Sequence, residues 1–137
     1  MRVLGIDIGT KRIGIAVSDP LGWTAQGVEV WKHVSREADM ARIIHWLYEY
    51  QATTIVIGMP KNMDGTKGEK ALWTEQFAAE LQTLIPDTKV VLWDERLTTV
   101  IAQRGLIAAN VRREKRKQVV DKMAAAIILQ GYLDSIR

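Results

Sequence analysis

The 137-residue sequence predicts an α/β fold: a mixed five-stranded sheet, antiparallel in its first three strands and parallel after that, flanked by helices. The chain opens on two alternating apolar segments joined by a short turn, the pattern of a β-hairpin. Farther on, short β-branched runs alternate with helix-length amphipathic segments, which calls for parallel strands joined by crossover helices. The expected order is βββαβαβαα over one domain, residues 1–137, with no internal repeat or low-complexity segment.

Residues 3–8 and 13–18 form the hairpin, with the turn at Gly9 to Arg12, and residues 27–31 add a third strand. Ser35 is a candidate N-cap for a helix to about Tyr50, with Glu37 and Asp39 in its first turn and an apolar stripe of Ala38, Ile43, Leu47 and Tyr50, Ile44 and Trp46 alongside. Residues 53–58 read as a buried strand stopped by Pro60. Asn62, Asp64, Gly65 and Gly68 mark a loop before a helix over 69–85, whose stripe is Leu72, Phe77, Leu81, Leu84 and Ile85. Residues 89–93 form the next strand, Thr98 or Thr99 caps a helix to about Ala109, and a last helix runs over 119–133.

The composition contains no cysteine, which excludes disulfides and thiolate metal sites and fits a reducing compartment. Asp7, Lys11 and Arg12 interrupt the apolar amino terminus, and no apolar run is long enough to span a bilayer. The expectation is a cytoplasmic protein without a membrane partner. The net charge of +3 is unevenly spread, because residues 111–122 alone carry +4. A basic patch of this kind suits a phosphate backbone, although a solvated loop or fraying helix end has the same composition.

Three acids fall where separate elements converge. Alternation in the first strand puts Leu4, Ile6 and Ile8 on one face and Val3, Gly5 and Asp7 on the other, so a carboxylate lies within an apolar strand. It needs a cation, a metal or hydrogen bonds, unless it simply caps the Gly9–Thr10 turn. The strand register that buries Val91 and Trp93 puts Glu95 on their face and Asp94 on that of Val90 and Leu92. Asp121 falls in the first turn of the last helix, where the macrodipole alone would favour it, and the alanines at 124–126 allow close packing on the sheet. Hard oxygen ligands from separate elements are what Mg²⁺ or Mn²⁺ requires, and two such ions ~4 Å apart can activate water at a phosphodiester.

Four stretches, Gly5-Ile-Asp-Ile-Gly-Thr-Lys-Arg-Ile-Gly-Ile-Ala-Val-Ser18, Val56-Ile-Gly-Met-Pro-Lys-Asn-Met-Asp-Gly65, Trp93-Asp-Glu-Arg-Leu-Thr-Thr99 and Val120-Asp-Lys-Met-Ala-Ala-Ala-Ile-Ile-Leu129, resemble in order and spacing the motifs of the bacterial YqgF (RuvX) family. The resemblance covers essentially the whole chain. It implies a ribonuclease H-like fold of the RuvC type and a divalent-metal nuclease, described either as a Holliday junction resolvase or as the nuclease maturing the 5′ end of precursor 16S ribosomal RNA. The catalytic and metal-binding acids it implies are Asp7, Glu95 and Asp121, with Mg²⁺ or Mn²⁺ as cofactor. Related resolvases carry another acid three residues beyond the last of these, where this chain has Ala124. Candidate nucleic-acid contacts are Lys11, Arg12, Lys61, Asn62, Arg96, Arg112, Arg113, Lys115, Arg116 and Lys117, and Thr10 is expected to help order the turn. Precursor ribosomal RNA or branched DNA is the expected partner, with ribosomal particles in the first case and a monomer or homodimer as the assembly.

Water attacking in line without a covalent intermediate fits the lack of an evident histidine base, since His33 falls in a loop and His45 within the first helix. An actin-like ATPase shares the Asp7-Ile-Gly-Thr10 pattern but needs a second domain to enclose its nucleotide. A Walker A loop fails because Ile15 and Ala16 stand where Lys and Ser/Thr are required. A non-catalytic nucleic-acid-binding module remains the alternative of another class, with Ala124 its best argument. Among the five tryptophans, Trp46 and Trp93 read as core, Trp23 and Trp31 as partly exposed, and Trp73 as off its helix stripe.

Overall fold

The computed structural model describes residues 2–60, 64–95 and 113–136, and for 113–122 the backbone alone. Five strands and three helices lie within them: β1 (Arg2–Ile8), β2 (Arg12–Ser18), β3 (Ala25–Lys32), α1 (Arg36–Glu49), β4 (Ala52–Met59), α2 (Glu69–Leu84), β5 (Lys89–Asp94) and α3 (Arg113–Ser135). The sheet order is β3-β2-β1-β4-β5. β1 pairs antiparallel with β2 and β2 with β3, whereas β1–β4 and β4–β5 are parallel. This is the expected mixed sheet, with β1 at its centre. The helix expected over about 99–109 lies outside the described residues.

Alternation along the strands divides the core into two layers. On one face Leu4, Ile6 and Ile8 of β1, Ile13, Ile15 and Val17 of β2, and Ile55 and Ile57 of β4 pack against Met40, Ile43 and Leu47 of α1 and Phe77, Ala78 and Leu81 of α2. On the other face Val3, Ala16, Val56, Val91 and Trp93 meet Ala125, Ile128, Leu129 and Leu133 of α3. This second layer is thin. A Cβ on Gly5 would stand 2.6 Å from the Leu129 Cβ and 3.0 Å from the Ala125 carbonyl oxygen, so glycine in the strand and alanine in the helix together permit the close approach.

Ser35 caps α1 as expected, accepting a hydrogen bond from the Ala38 amide at 3.1 Å. The stripes of α1 and α2 differ from the expectation. In α1 Ala38 is exposed and Asp39 is buried beside Met40. In α2 Leu72 and Leu84 are exposed, while Ala71, Thr74 and Ala78 join Phe77 and Leu81 inside. The buried face is centred on Phe77 and Leu81, and the two leucines fall at its margin. Trp31 is buried rather than partly exposed, with Arg42 5.2 Å above its ring and its indole N–H donating to Asp39.

The last helix begins earlier than expected, at Arg113. The run Arg-Glu-Lys-Arg-Lys-Gln consists of good helix formers and continues the helix rather than ending it. Asp121 therefore lies in the third turn, where the terminal macrodipole no longer accounts for it.

Candidate active site

Asp7 sits near the carboxyl end of the central strand, on the α3 face. It pairs in register with Gly14 of β2, and on the other side the step after Ile6↔Ile57 sets it beside Gly58 of β4. Its lateral neighbours on this face thus carry no side chain. Beyond Gly58, which pairs with Trp93, the chain continues the ladder as the Glu95 amide donates to the Met59 carbonyl at 3.3 Å. The Glu95 carboxylate lies over Gly58, so a Cβ there would collide with Glu95 Oε2 and with Ile128 Cδ1. Gly58 is the floor across which Glu95 approaches Asp7.

The electrostatics record that approach. Glu95 is pushed up to about 7, first by burial, then by the negative charge of Asp7, with Asp94 adding to the effect and Lys70 opposing it. The structure therefore brings two of the three expected acids together. Asp121 precedes Ala125 and Leu129 by four and eight residues on α3, which puts it on the helix stripe that packs on Gly5. Its side chain is outside the described atoms. No group of three metal-ligating side chains occurs among the described residues. The pair that is described offers hard oxygen donors whose charges oppose each other in a partly desolvated site, and this set fits a divalent cation, which would favour both ionised forms.

Lys11 and Arg12 are exposed at the hairpin turn, closed by the Gly9 amide donating to the Arg12 carbonyl at 2.8 Å. Thr10 is exposed between them and Gly9. Lys61, Asn62, Arg96 and Arg112 lie outside the described residues. Arg113, Lys115, Arg116 and Lys117 occupy the first turns of α3, described by backbone alone.

Three features escaped the sequence reading. Gly58 carried a signal, since a glycine ending a β-branched run marks close approach to a strand. Lys70 carried none. The third is a network that braces the hairpin turn from the α1 side. His33 lies 2.7 Å through Nδ1 from Asp39 Oδ2 and 2.8 Å through Nε2 from the Gly9 carbonyl oxygen. Asp39 Oδ1 also accepts from Trp31 Nε1 at 3.0 Å and from the Val34 amide at 3.5 Å. A carbonyl oxygen only accepts, so Nε2 donates to it, and an Asp39 already accepting two N–H groups favours an imidazolium donating from Nδ1 as well. Burial works against the His33 charge, but the hydrogen bonds to Asp39 and Gly9 outweigh it and hold the pKa above 6.5.

Comparison with known proteins agrees with this architecture. The T. thermophilus RuvC in complex with Holliday junction substrate superposes with a TM-score of 0.56 at 17% identity, covering 99% of this chain and 96% of that one. The Fowlpox virus resolvase with Holliday junction DNA gives 0.53 at 12% identity, with 99% of both chains covered. The fold is accordingly ribonuclease H-like, of the RuvC type. Two relatives carry the name "Putative pre-16S rRNA nuclease". That of Halalkalibacterium halodurans is 58% identical and covers 98% of this chain and 96% of its own length. That of Bacillus subtilis is 52% identical and covers 99% of each. The model of the family described as "RuvX: Holliday junction resolvase" matches residues 1–135, and the chain belongs to that family.

Proposed function

We propose that this chain is a single-domain, divalent-metal nuclease that hydrolyses phosphodiester bonds of structured nucleic acid, in maturation of the 5′ end of precursor 16S ribosomal RNA. The observation that carries the reading is the Asp7–Glu95 pair over bare Gly58, in a chain whose relatives are named for this activity. Asp7, Glu95 and Asp121 are the proposed ligands of Mg²⁺ or Mn²⁺. A divalent ion held there supplies Lewis-acid stabilisation of the phosphoryl group and lowers the pKa of water. The protein's own part is positional. β1 and the end of β5 aim the acids at one point, and the hairpin turn presents Lys11 and Arg12 to the phosphate backbone. The basic first turns of α3 and, outside the described residues, Lys61, Asn62, Arg96 and Arg112 extend that contact.

Cleavage of a labelled precursor ribosomal RNA end and of a four-way DNA junction, with Mg²⁺, Mn²⁺ or EDTA, tests the reading. Metal-dependent cutting that disappears in a folded Asp7→Asn variant is expected, with the RNA preferred. Junction cutting alone would favour the second reading, a Holliday junction resolvase, which the family description supports. Binding without cleavage under every metal would leave a non-catalytic module. No helix among the described residues is long and apolar enough to cross a membrane.

A further inference from the structure

On the α1–α2 side of the sheet a cavity of about 600 Å³ lies between the hairpin turn and the N-terminal turns of α1 and α2. Its wall includes Ile8 and Gly9, the two residues that follow Asp7, and Lys70, whose charge reaches Glu95. The cavity and the carboxylate pair thus lie on opposite faces of the same end of β1, with the turn after Asp7 and Lys70 between them.

The lining combines apolar surface from Ile8, Val34 and Trp73 with the cation of Lys70; Arg36 also lines it but is paired with Glu80 at 2.9 Å, and Asp39, bound to His33, and Glu69 are the acids of the wall. Trp73 is held in place by Phe77, whose ring centre is 5.4 Å away, and by the Arg36 guanidinium 5.1 Å from its own ring centre. The floor is the Asp39–His33–Gly9 network, so the cavity is preformed. Its volume lies within the range of roughly 300–1,000 Å³ typical of small-molecule sites, enough for one base and its sugar, whereas a base held in a duplex stack cannot enter a concave site.

We propose that this cavity receives one unpaired nucleotide of the substrate strand, around the end of β1 from the phosphodiester held at Asp7 and Glu95. The proposal rests on the nuclease reading and narrows its substrate to strands with an unpaired or splayed nucleotide at the cut. An apolar wall of Ile8, Val34 and the Trp73 edge with Lys70 beside it recognises a base and its phosphate together.

The test uses the full chain and two readouts. In EDTA, titration with adenosine 5′-monophosphate followed by NMR is expected to shift the Trp73 indole N–H and the Gly9 and Thr10 amides saturably, with the deoxy form and inorganic phosphate run alongside. With Mg²⁺ or Mn²⁺, a single-stranded oligonucleotide is expected to be cut faster than the same strand in a duplex. Val34 is 79% exposed, so Val34→Glu should fold while placing a carboxylate beside the incoming phosphate. It is expected to abolish the shifts and to raise KM for the single strand about tenfold with kcat nearly unchanged. Trp73→Leu should act in the same direction.

Shifts outside the cavity, or equal shifts with inorganic phosphate, would overturn the proposal. So would duplex and single strand cut alike with Val34→Glu behaving as wild type, a result that leaves the nuclease reading intact. Shifts confined to the cavity and lost in Val34→Glu, with no strand cut under any metal, would support nucleotide binding there and overturn the nuclease reading instead.

Discussion

Replacing Glu95 by Gln should make the metal-free protein more stable while removing its activity. In the folded chain Glu95 ionises at about 7 rather than its ordinary 4.5, because burial and the Asp7 charge both penalise the anion. Between these values the folded state binds more protons than the unfolded one, so the stability of unfolding falls as pH rises through that window. Taken over the whole interval the loss is about 3 kcal/mol. Gln has nearly the same shape and no charge, so it removes that slope. Chemical denaturation in EDTA at pH 5 and pH 8 reads the difference directly. Wild type should lose stability between the two, and Glu95→Gln should lose markedly less and exceed wild type at pH 8, by up to about 10 °C in Tm if the whole loss is removed. Mg²⁺ or Mn²⁺ should then raise the Tm of wild type and leave the variant nearly unmoved. If the variant is no more stable than wild type at pH 8, Glu95 is not held against Asp7 over Gly58, and the site as built here is wrong.

Gly58→Ala puts a methyl group where Glu95 and Ile128 stand; it should abolish cleavage and cost about 1–3 kcal/mol in denaturant unfolding, with the sheet retained by circular dichroism. Gly5→Ala should cost a similar ~1–3 kcal/mol by lifting α3 from β1, and hydrogen exchange in α3 should quicken before that in α1 or α2. His33 has a raised pKa, so its contribution is complete below about 6.5 and is lost as pH rises through the higher folded value. His33→Gln should therefore weaken the protein chiefly below that pH, shown by comparing denaturant midpoints at pH 6 and pH 8.5.

Much of the site could be read from strand alternation. The period of two assigned Asp7 to the face of Val3 and Gly5, and Glu95 to that of Val91 and Trp93, and α3 covers both. The three alanines correctly anticipated a close helix. What escaped depended on partners distant in sequence or on competition between neighbours. The sequence places Asp39 in a first helical turn without showing its burial, and Trp31, His33 and Val34 supply the donors that make that burial tolerable. Leu72 and Leu84 have the right spacing for a stripe, but the buried face is rotated toward Ala71, Thr74 and Ala78, which flank Phe77 and Leu81. The start of α3 escaped because a charged run fits a phosphate contact, a solvated loop or a fraying helix end equally, although those residues favour helix.

The unequal layers on the two sides of the sheet also divide the molecule into parts with different tolerance for change. Where α1 and α2 pack, large aliphatic and aromatic side chains can be exchanged for others of similar volume with modest losses. Under α3 the helix also rests on Gly5 and Gly58, and at those two points an added methyl group would meet Leu129, Glu95 or Ile128, so no volume can be gained there. An engineer seeking a hardier variant would accordingly begin with the aliphatic layer between α1, α2 and the sheet, leaving untouched the His33–Asp39 network that braces the hairpin turn.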